Sequence, residues 1–405
     1  MEEEKYKYNS KAEYISINKN KVSALQKLHQ KNQNTNNYSI HLKYYDPYMR
    51  YYLIPPKNYM SQLDQLKNNK EDIFSKGKIL TFTSNNQNFY FDAVVESFGE
   101  EENIYYCYIV PIKKKYRYRY RNTKKYKSID LVGNYEVKER SGDLTYIRMK
   151  DALDEFSQGY SISQNLENLI LGKYEYIQQQ NLNYLFNFER YYITKLYNFG
   201  YLTKNKIQKI ENIFSYELNT IELSEKTNKK IISFIINAIL QRRKQKKDKI
   251  LICTSSNISA DKIALDLMEM NYYTNTMNLL RVYAKNQELI KRDKNLDQIT
   301  YHKLIKEEIE DENYSKRRNK GDWLIKNSDI IISTCVNSYT DELINYDFPF
   351  VIIADADNAS ENESLIPITL KAQHVTFISY NNNNKNGINM YKRMKELYKE
   401  SHIIL

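Results

Sequence analysis

Residues Phe350–Glu361 read FVIIADADNASE, five apolar residues without alternation that give way to an acidic and polar loop. A strand with one wet face alternates apolar and polar residues. A strand that is apolar throughout is buried on both faces, as in a parallel sheet covered by helices. Four more runs share this texture: KILICT at 249–254, NLLRVYA at 278–284, DIIISTC at 329–335 and HVTFIS at 374–379, with helical patterns between them. Residues 201–380 are therefore expected to form one α/β doubly wound domain. Such domains bind ligands just beyond the carboxyl ends of their strands, so the polar clusters that follow these runs are the candidate site.

The rest of the chain has other textures. Residues 1–38 are polar and low in complexity, predicting either a mobile arm or a short helix followed by a linker. From 39 to 150 come short β-like runs with turn signals, among them KILTFTS, NFYFDAVVESF and NIYYCYIVPI, as expected for a small antiparallel barrel or sandwich. Residues 151–200 read as a helical connector. A charged insert at 286–327 also reads as helical, and 381–405 as a short C-terminal helix and tail.

Composition narrows the function classes. No apolar run approaches the ~18 residues needed to span a bilayer, and MEEEKYKYNSK lacks the order of a signal peptide. A soluble, cytoplasmic protein with no membrane partner is expected. Cys107, Cys253 and Cys335 are far apart in sequence and five histidines are scattered, so neither a disulfide framework nor a zinc or other metal site is expected. The 61 Lys+Arg against 50 Asp+Glu give +11, which suits a polyanionic partner. The chain is also crowded with Lys, Asn, Ile and Tyr, the signature of A+T-rich codons, so charge alone does not decide.

KKKYRYRYRNTKKYK, at 113–127, is the most unusual local pattern. On a strand its alternation puts Tyr116, Tyr118 and Tyr120 on one face and Arg117, Arg119 and Arg121 on the other. The guanidinium ribbon suits a phosphate backbone, while the bland alternative is a solvated hairpin with its tyrosines in the barrel wall.

Three segments, ILICTSSNISADKIALDLM, IIISTCVNSYTDEL and FPFVIIADADNASENESLIPITLKAQHVTFIS, resemble in order and spacing the first RecA-like domain of the nonsense-mediated-decay RNA helicases, the regulator-of-nonsense-transcripts family of superfamily 1. Ser256, Asn257 and Asp261 match the family's first cluster, and Thr334 and Cys335 its second. Ala354, Asp355, Asn358 and Ala359 fall on its acidic cluster. The β-rich region and the helical insert lie where the family places a small barrel and a helical module. The resemblance implies a P-loop-type RecA-like fold and a partner that is RNA or a ribonucleoprotein, alongside mRNA-decay or translation factors. It implies sequence-independent contact with the RNA backbone at Ser256, Asn257 and Thr334. The alternative is that these are simply the polar strand-end loops of any α/β domain.

The departures concern the nucleotide. A phosphate-cradling loop needs glycines, then Lys and Ser/Thr. The corresponding stretch is ELSEKTNKKIISF at 222–234, and no glycine occurs between Gly200 and Gly321. Lys229 or Lys230 preserves at most the old lysine, and Ile231 stands where a metal-binding hydroxyl belongs. Ala354 replaces the metal-holding carboxylate. Asp355 holds the family's general-base position, and an acidic loop cap is its simpler role. YNNNNKN replaces the motif after HVTFIS, and the adenine-reading Gln falls near Lys206. With about 25 residues following that point, neither a second RecA-like domain nor the family's zinc module is expected. The expectation is a helicase-like pseudoenzyme that binds RNA or a ribonucleoprotein and uses no cofactor. The alternatives are one half of a split or truncated ATP-dependent helicase, and a structural subunit of a large assembly.

Overall fold

A computed structural model describes residues 6–31, 38–44, 51–53, 79–84, 90–101, 104–111, 133–139, 143–173, 182, 185–186, 204–223, 231–274, 277–284, 293–308, 314–380 and 387–405. The chain divides into two compact units, one of Met1–Leu25, Thr145–Tyr283 and Ile290–Leu405, the other of Gln26–Leu144 and Ala284–Leu289.

The β-rich unit is a closed antiparallel barrel. Its strands are β1 (Tyr38–Tyr44), β2 (Tyr51–Leu53), β3 (Ile79–Ser84), β4 (Tyr90–Glu101), β5 (Ile104–Pro111) and β6 (Gly133–Glu139), in the order β1-β2-β5-β4-β3-β6. Alternation explains its core: Leu80 and Phe82, Ala93 and Val95, and Tyr135 and Val137 point inward and are buried. Phe82 meets Tyr135 edge to face at 6.0 Å. β2 was not legible in the sequence because three residues carry no period. The barrel nevertheless needs it, since β2 pairs with both β1 and β5. The Arg117/Arg119/Arg121 ribbon lies outside the described residues.

The α/β unit holds a seven-stranded sheet. Its strands are β7 (Leu218–Glu222), β8 (Ile250–Thr254), β9 (Leu279–Arg281), β10 (Ile330–Thr334), β11 (Phe350–Ala354), β12 (His374–Ser379) and β13 (His402–Ile404). Their order is β13-β7-β12-β11-β8-β10-β9, and every pairing is parallel. All five apolar runs of the sequence fall in this one sheet, as a RecA-like P-loop domain requires. Period-two alternation within each run divides the strands between two helical layers. Ile250, Ile252, Ile330, Ile332 and Ile352 face the layer containing α5 (Ile231–Arg242) and α6 (Asn257–Thr274). Leu251, Cys253, Ile331, Val351 and Ile353 face the other layer.

That second layer is where tertiary structure departs most from the sequence reading. It contains α1 (Lys11–Lys31), α2 (Asp143–Gln158), α3 (Gln164–Ile170), α9 (Glu361–Ile368) and α10 (Met390–Leu397). The segment read as arm or short helix is thus 21 residues of helix, and Tyr14, Asn18 and Val22 form a wholly buried i, i+4, i+8 stripe on it. Residues read as connector supply Leu153, Phe156, Leu166 and Leu169 to the same core. The tail adds α10 and then β13, which pairs with β7 at the sheet edge. The insert is helical where described: a 3-10 turn at Lys294–Ile299, α7 (Tyr301–Glu308) and α8 (Tyr314–Asn327). A further helix among the described residues, α4 (Lys204–Glu211), precedes β7. Among the described residues no helix is long and apolar enough to cross a membrane.

Candidate functional site

The carboxyl ends of β8, β10 and β11 are adjacent in the sheet, so Ser256, Asn257, Thr334 and Asp355 are carried to one edge. The backbone joins two of these ends directly, with Cys335 N–H donating to the Thr254 carbonyl at 2.8 Å.

Asp355 follows the last residue of β11 and has φ of +59°, a left-handed conformation costing a non-glycine residue ~1 kcal/mol or more. Its own side chain holds it there. Oδ2 accepts from the Ser259 hydroxyl at 2.7 Å and the Ser255 hydroxyl at 3.1 Å. Oδ1 accepts from Asn358 Nδ2 at 2.6 Å. The carboxylate therefore ties the β11 loop to the β8 loop and the first turn of α6. At 7% exposure, with three of roughly four acceptor positions filled, it is poorly placed to take a proton from water. Asp355→Ala removes all three bonds and leaves the strained φ in place. It is expected to lower unfolding stability by about 2–3 kcal/mol, whereas Asp355→Asn, which tolerates that φ, should cost less than half as much. Denaturant unfolding monitored by circular dichroism checks this.

The positions matched to RNA contact are also engaged. Ser256 Oγ caps α6, accepting from the Ser259 amide at 3.2 Å and donating to the Ser259 hydroxyl. Asn257 Oδ1 accepts from Arg281 Nη2 at 2.9 Å. Thr334 Oγ1 accepts from the Asn337 amide at 3.2 Å. These side chains shape the strand-end loops, and all three residues are half-buried. Cys335 is buried, its thiol pushed well up by the neighbouring Cys253 thiol and by burial, which suits packing rather than reactivity.

Sequence reasoning missed Arg281. It is fully buried at the end of β9, where Nε meets Asp261 Oδ1 at 2.9 Å and Nη1 donates to the Val282 carbonyl. The guanidinium carbon lies 3.9 Å from the Tyr283 ring centroid, and the Tyr283 hydroxyl bonds the same Asp261 oxygen at 2.7 Å. An arginine inside the apolar run NLLRVYA was the available signal. Asp261 and Asn257 are thus the partners through which Arg281 fixes the first turn of α6.

Among the described residues, the positions matched to the metal-holding carboxylate and hydroxyl carry no metal ligand. Where a carboxylate would hold the metal stands Ala354, fully buried in the core. Ile231, the first residue of α5, is likewise packed in the core. Lys229 and Lys230 lie outside the described residues.

Residues 223–322 and 291–378 match the family described as an AAA domain. Regulator of nonsense transcripts 1 of Dictyostelium discoideum is 26% identical over 207 residues, covering 45% of this chain and 15% of that protein. The ATP-dependent helicase NAM7 of Saccharomyces cerevisiae is 26% identical over 257 residues, covering 58% and 25%. The ATP-dependent helicase upf1 of Schizosaccharomyces pombe is 25% identical over 205 residues, covering 45% and 22%. This chain therefore spans at most a quarter of the length of these relatives. Among solved structures, the UvsW helicase of bacteriophage T4 aligns with a TM-score of 0.31 at 10% identity, over 50% of this chain and 59% of that one. That likeness is too weak to add to the sheet topology itself.

Proposed function

We propose that this chain, a helicase-like relative of the superfamily 1 nonsense-mediated-decay helicases, binds RNA or a ribonucleoprotein in the cytoplasm as a pseudoenzyme that does not hydrolyse ATP. One observation carries the reading. At the end of β11 the metal-holding position is a buried alanine, and the neighbouring carboxylate is spent on Ser255, Ser259 and Asn358. The same α/β frame still brings Ser256, Asn257 and Thr334 to one edge, where backbone-type contact needs no nucleotide. The basic balance of the chain and the Arg117/Arg119/Arg121 ribbon support a polyanionic partner.

The test is a titration of a labelled single-stranded RNA at several salt concentrations, alongside a titration with Mg²⁺ and ATP. Salt-dependent RNA binding without nucleotide binding is expected. Replacing Arg117, Arg119 and Arg121 together with Gln should flatten the salt slope by up to ~2, at ~0.7 for each phosphate no longer neutralised, irrespective of RNA sequence. Micromolar, Mg²⁺-dependent ATP binding would instead favour half of a split helicase. Failure to bind RNA at low salt defeats the proposal.

A further inference from the structure

A cavity of about 220 Å³ opens at the carboxyl ends of β7 and β12, beside α10. Glu222 and Ser379, the last residues of those strands, line it together with Asp357 from the loop after β11 and Tyr391 of α10. Ser256, Asn257, Thr334 and Asp355 are not among its lining residues, so it is distinct from the strand-end site. Its volume admits a short organic group rather than a single water.

Two of its side chains are buried without partners. Asp357 is 3% exposed, and neither oxygen of its carboxylate has a hydrogen-bond partner. The buried Tyr391 hydroxyl has none either. The Ser379 hydroxyl lies close enough to favour the charged form of both, and the Tyr380 backbone that of Asp357, yet neither reaches them in hydrogen-bond geometry. Asp357 and Tyr391 also feel each other: burial raises the phenol pKa most, and the Glu222 and Asp357 charges raise it further. The nearby cations are engaged elsewhere. Lys395 pairs with Glu222, which also faces His402 Nε2 at 3.6 Å, and Lys392 Nζ donates to the Gly387 carbonyl at 3.3 Å. A buried carboxylate is costly unless a charged donor meets it, and no described side chain does.

We infer that this cavity binds an alkylammonium group, whose three N–H donors match the two Asp357 oxygens and the Tyr391 hydroxyl. The unpaired carboxylate selects a cation and repels a phosphate. Tyr6, Ile388 and the Tyr391 ring line the same cavity, giving methylene groups an apolar wall and an ammonium group aromatic faces. A metal ion fits less well, because among the described residues no three His, Cys, Asp or Glu side chains gather to hold one. The inference does not depend on RNA binding.

The ammonium group has two sources, a free diamine or a lysine side chain, and the test separates them. The full chain is titrated calorimetrically with putrescine, with a lysine blocked at both its α-amino and α-carboxyl groups, and with butanediol, which has putrescine's chain but no charge. Saturable binding of an amine and none of the diol is expected, and the tighter of the two amines identifies the source. Asp357→Asn should weaken binding about tenfold or more, and Tyr391→Phe about threefold. Asp154→Asn, which removes an exposed carboxylate of α2, should leave the affinity unchanged. Thermal melts confirm that the variants fold, and without ligand Asp357→Asn should melt above the parent chain, since it removes an unpaired buried charge. Failure of both amines to bind overturns the inference, as does full affinity in a folded Asp357→Asn variant. Butanediol binding as tightly as putrescine overturns the assignment to an ammonium group.

Discussion

Arg393→Met is expected to lower the stability of the α/β unit by about 3–5 kcal/mol, because it leaves a largely buried carboxylate without its counter-charge. Arg393 lies on α10 and is 1% exposed. Its Nη2 pairs with Glu361 Oε1, and its Nη1 donates to the Ile170 carbonyl at 2.7 Å and the Tyr6 carbonyl at 3.3 Å. The rings of Tyr8 and Tyr14 lie 5.2 and 5.8 Å from the guanidinium carbon. The Tyr14 hydroxyl also donates to Glu361, at 3.0 Å. Burial alone pushes the guanidinium pKa down, but the Glu361 charge and hydrogen bond overcome it and hold the pKa above its ordinary value. One side chain thus joins the first residues of the chain, α3, α9 and the C-terminal helix.

Arg393→Lys should recover only part of the loss, since a single ammonium cannot reproduce the planar fork that reaches a carboxylate and two carbonyls. The double change Arg393→Met with Glu361→Leu should recover most of it, because the stranded charge goes as well. The measurement is the denaturant midpoint, with a fall in Tm of about 10 °C for the single Met variant. A destabilisation of under about 1 kcal/mol in Arg393→Met would show that the pair is loosely held.

The second large effect is on acid stability and comes from His374. The ring is fully buried at the start of β12, against Phe186 at 5.2 Å and Phe350 at 6.0 Å. Its Nε2–H donates to the Ile213 carbonyl at 2.8 Å. Burial lowers its pKa from 6.5 to about 4, a shift that the Ile213 hydrogen bond only partly opposes. In the unfolded chain the imidazole takes up its proton near pH 6.5, so as pH falls the unfolded state binds the proton first. The stabilisation is complete above pH 6.5, declines between 6.5 and 4, and is gone below that window. Integrated, it is worth about 3 kcal/mol. His402, whose pKa is also lowered by burial and by Lys395, adds a contribution of the same sign. Comparison with His374→Asn separates the two. The variant should be less stable near neutrality, and its stability should fall distinctly less between pH 6.5 and 5. Parallel pH profiles for the two proteins would mean that the folded ring is protonated as readily as the unfolded one.

What the sequence determined by itself is the parallel sheet and the residue types at its edge. Five runs apolar on both faces admit few solutions other than strands with helices on both sides, and all five lie in one sheet. The absence of glycines before α5 and the alanine at 354 were legible because phosphate and metal binding demand particular residue types at particular places. The barrel was legible from short β-like runs at five of its six strands, whereas β2 had too few residues to show a period.

Only tertiary structure decided the second helical layer. The buried stripe of α1 includes Asn18, and polar residues surround it, so local composition gave no sign that the helix is covered. Tyr14 of this stripe meets Glu361 and Arg393, more than 340 residues away, and sequence periodicity carries no information at that separation. The tail residues His402–Ile404 become a strand for the same reason, since β7 offers an edge that only the folded sheet possesses. Whether Asp355 faces water or its neighbours was likewise undetermined until α6 brought Ser259 within 2.7 Å of its carboxylate. Residue type sets what a side chain can do, and the packing of distant segments sets which of those possibilities is already used.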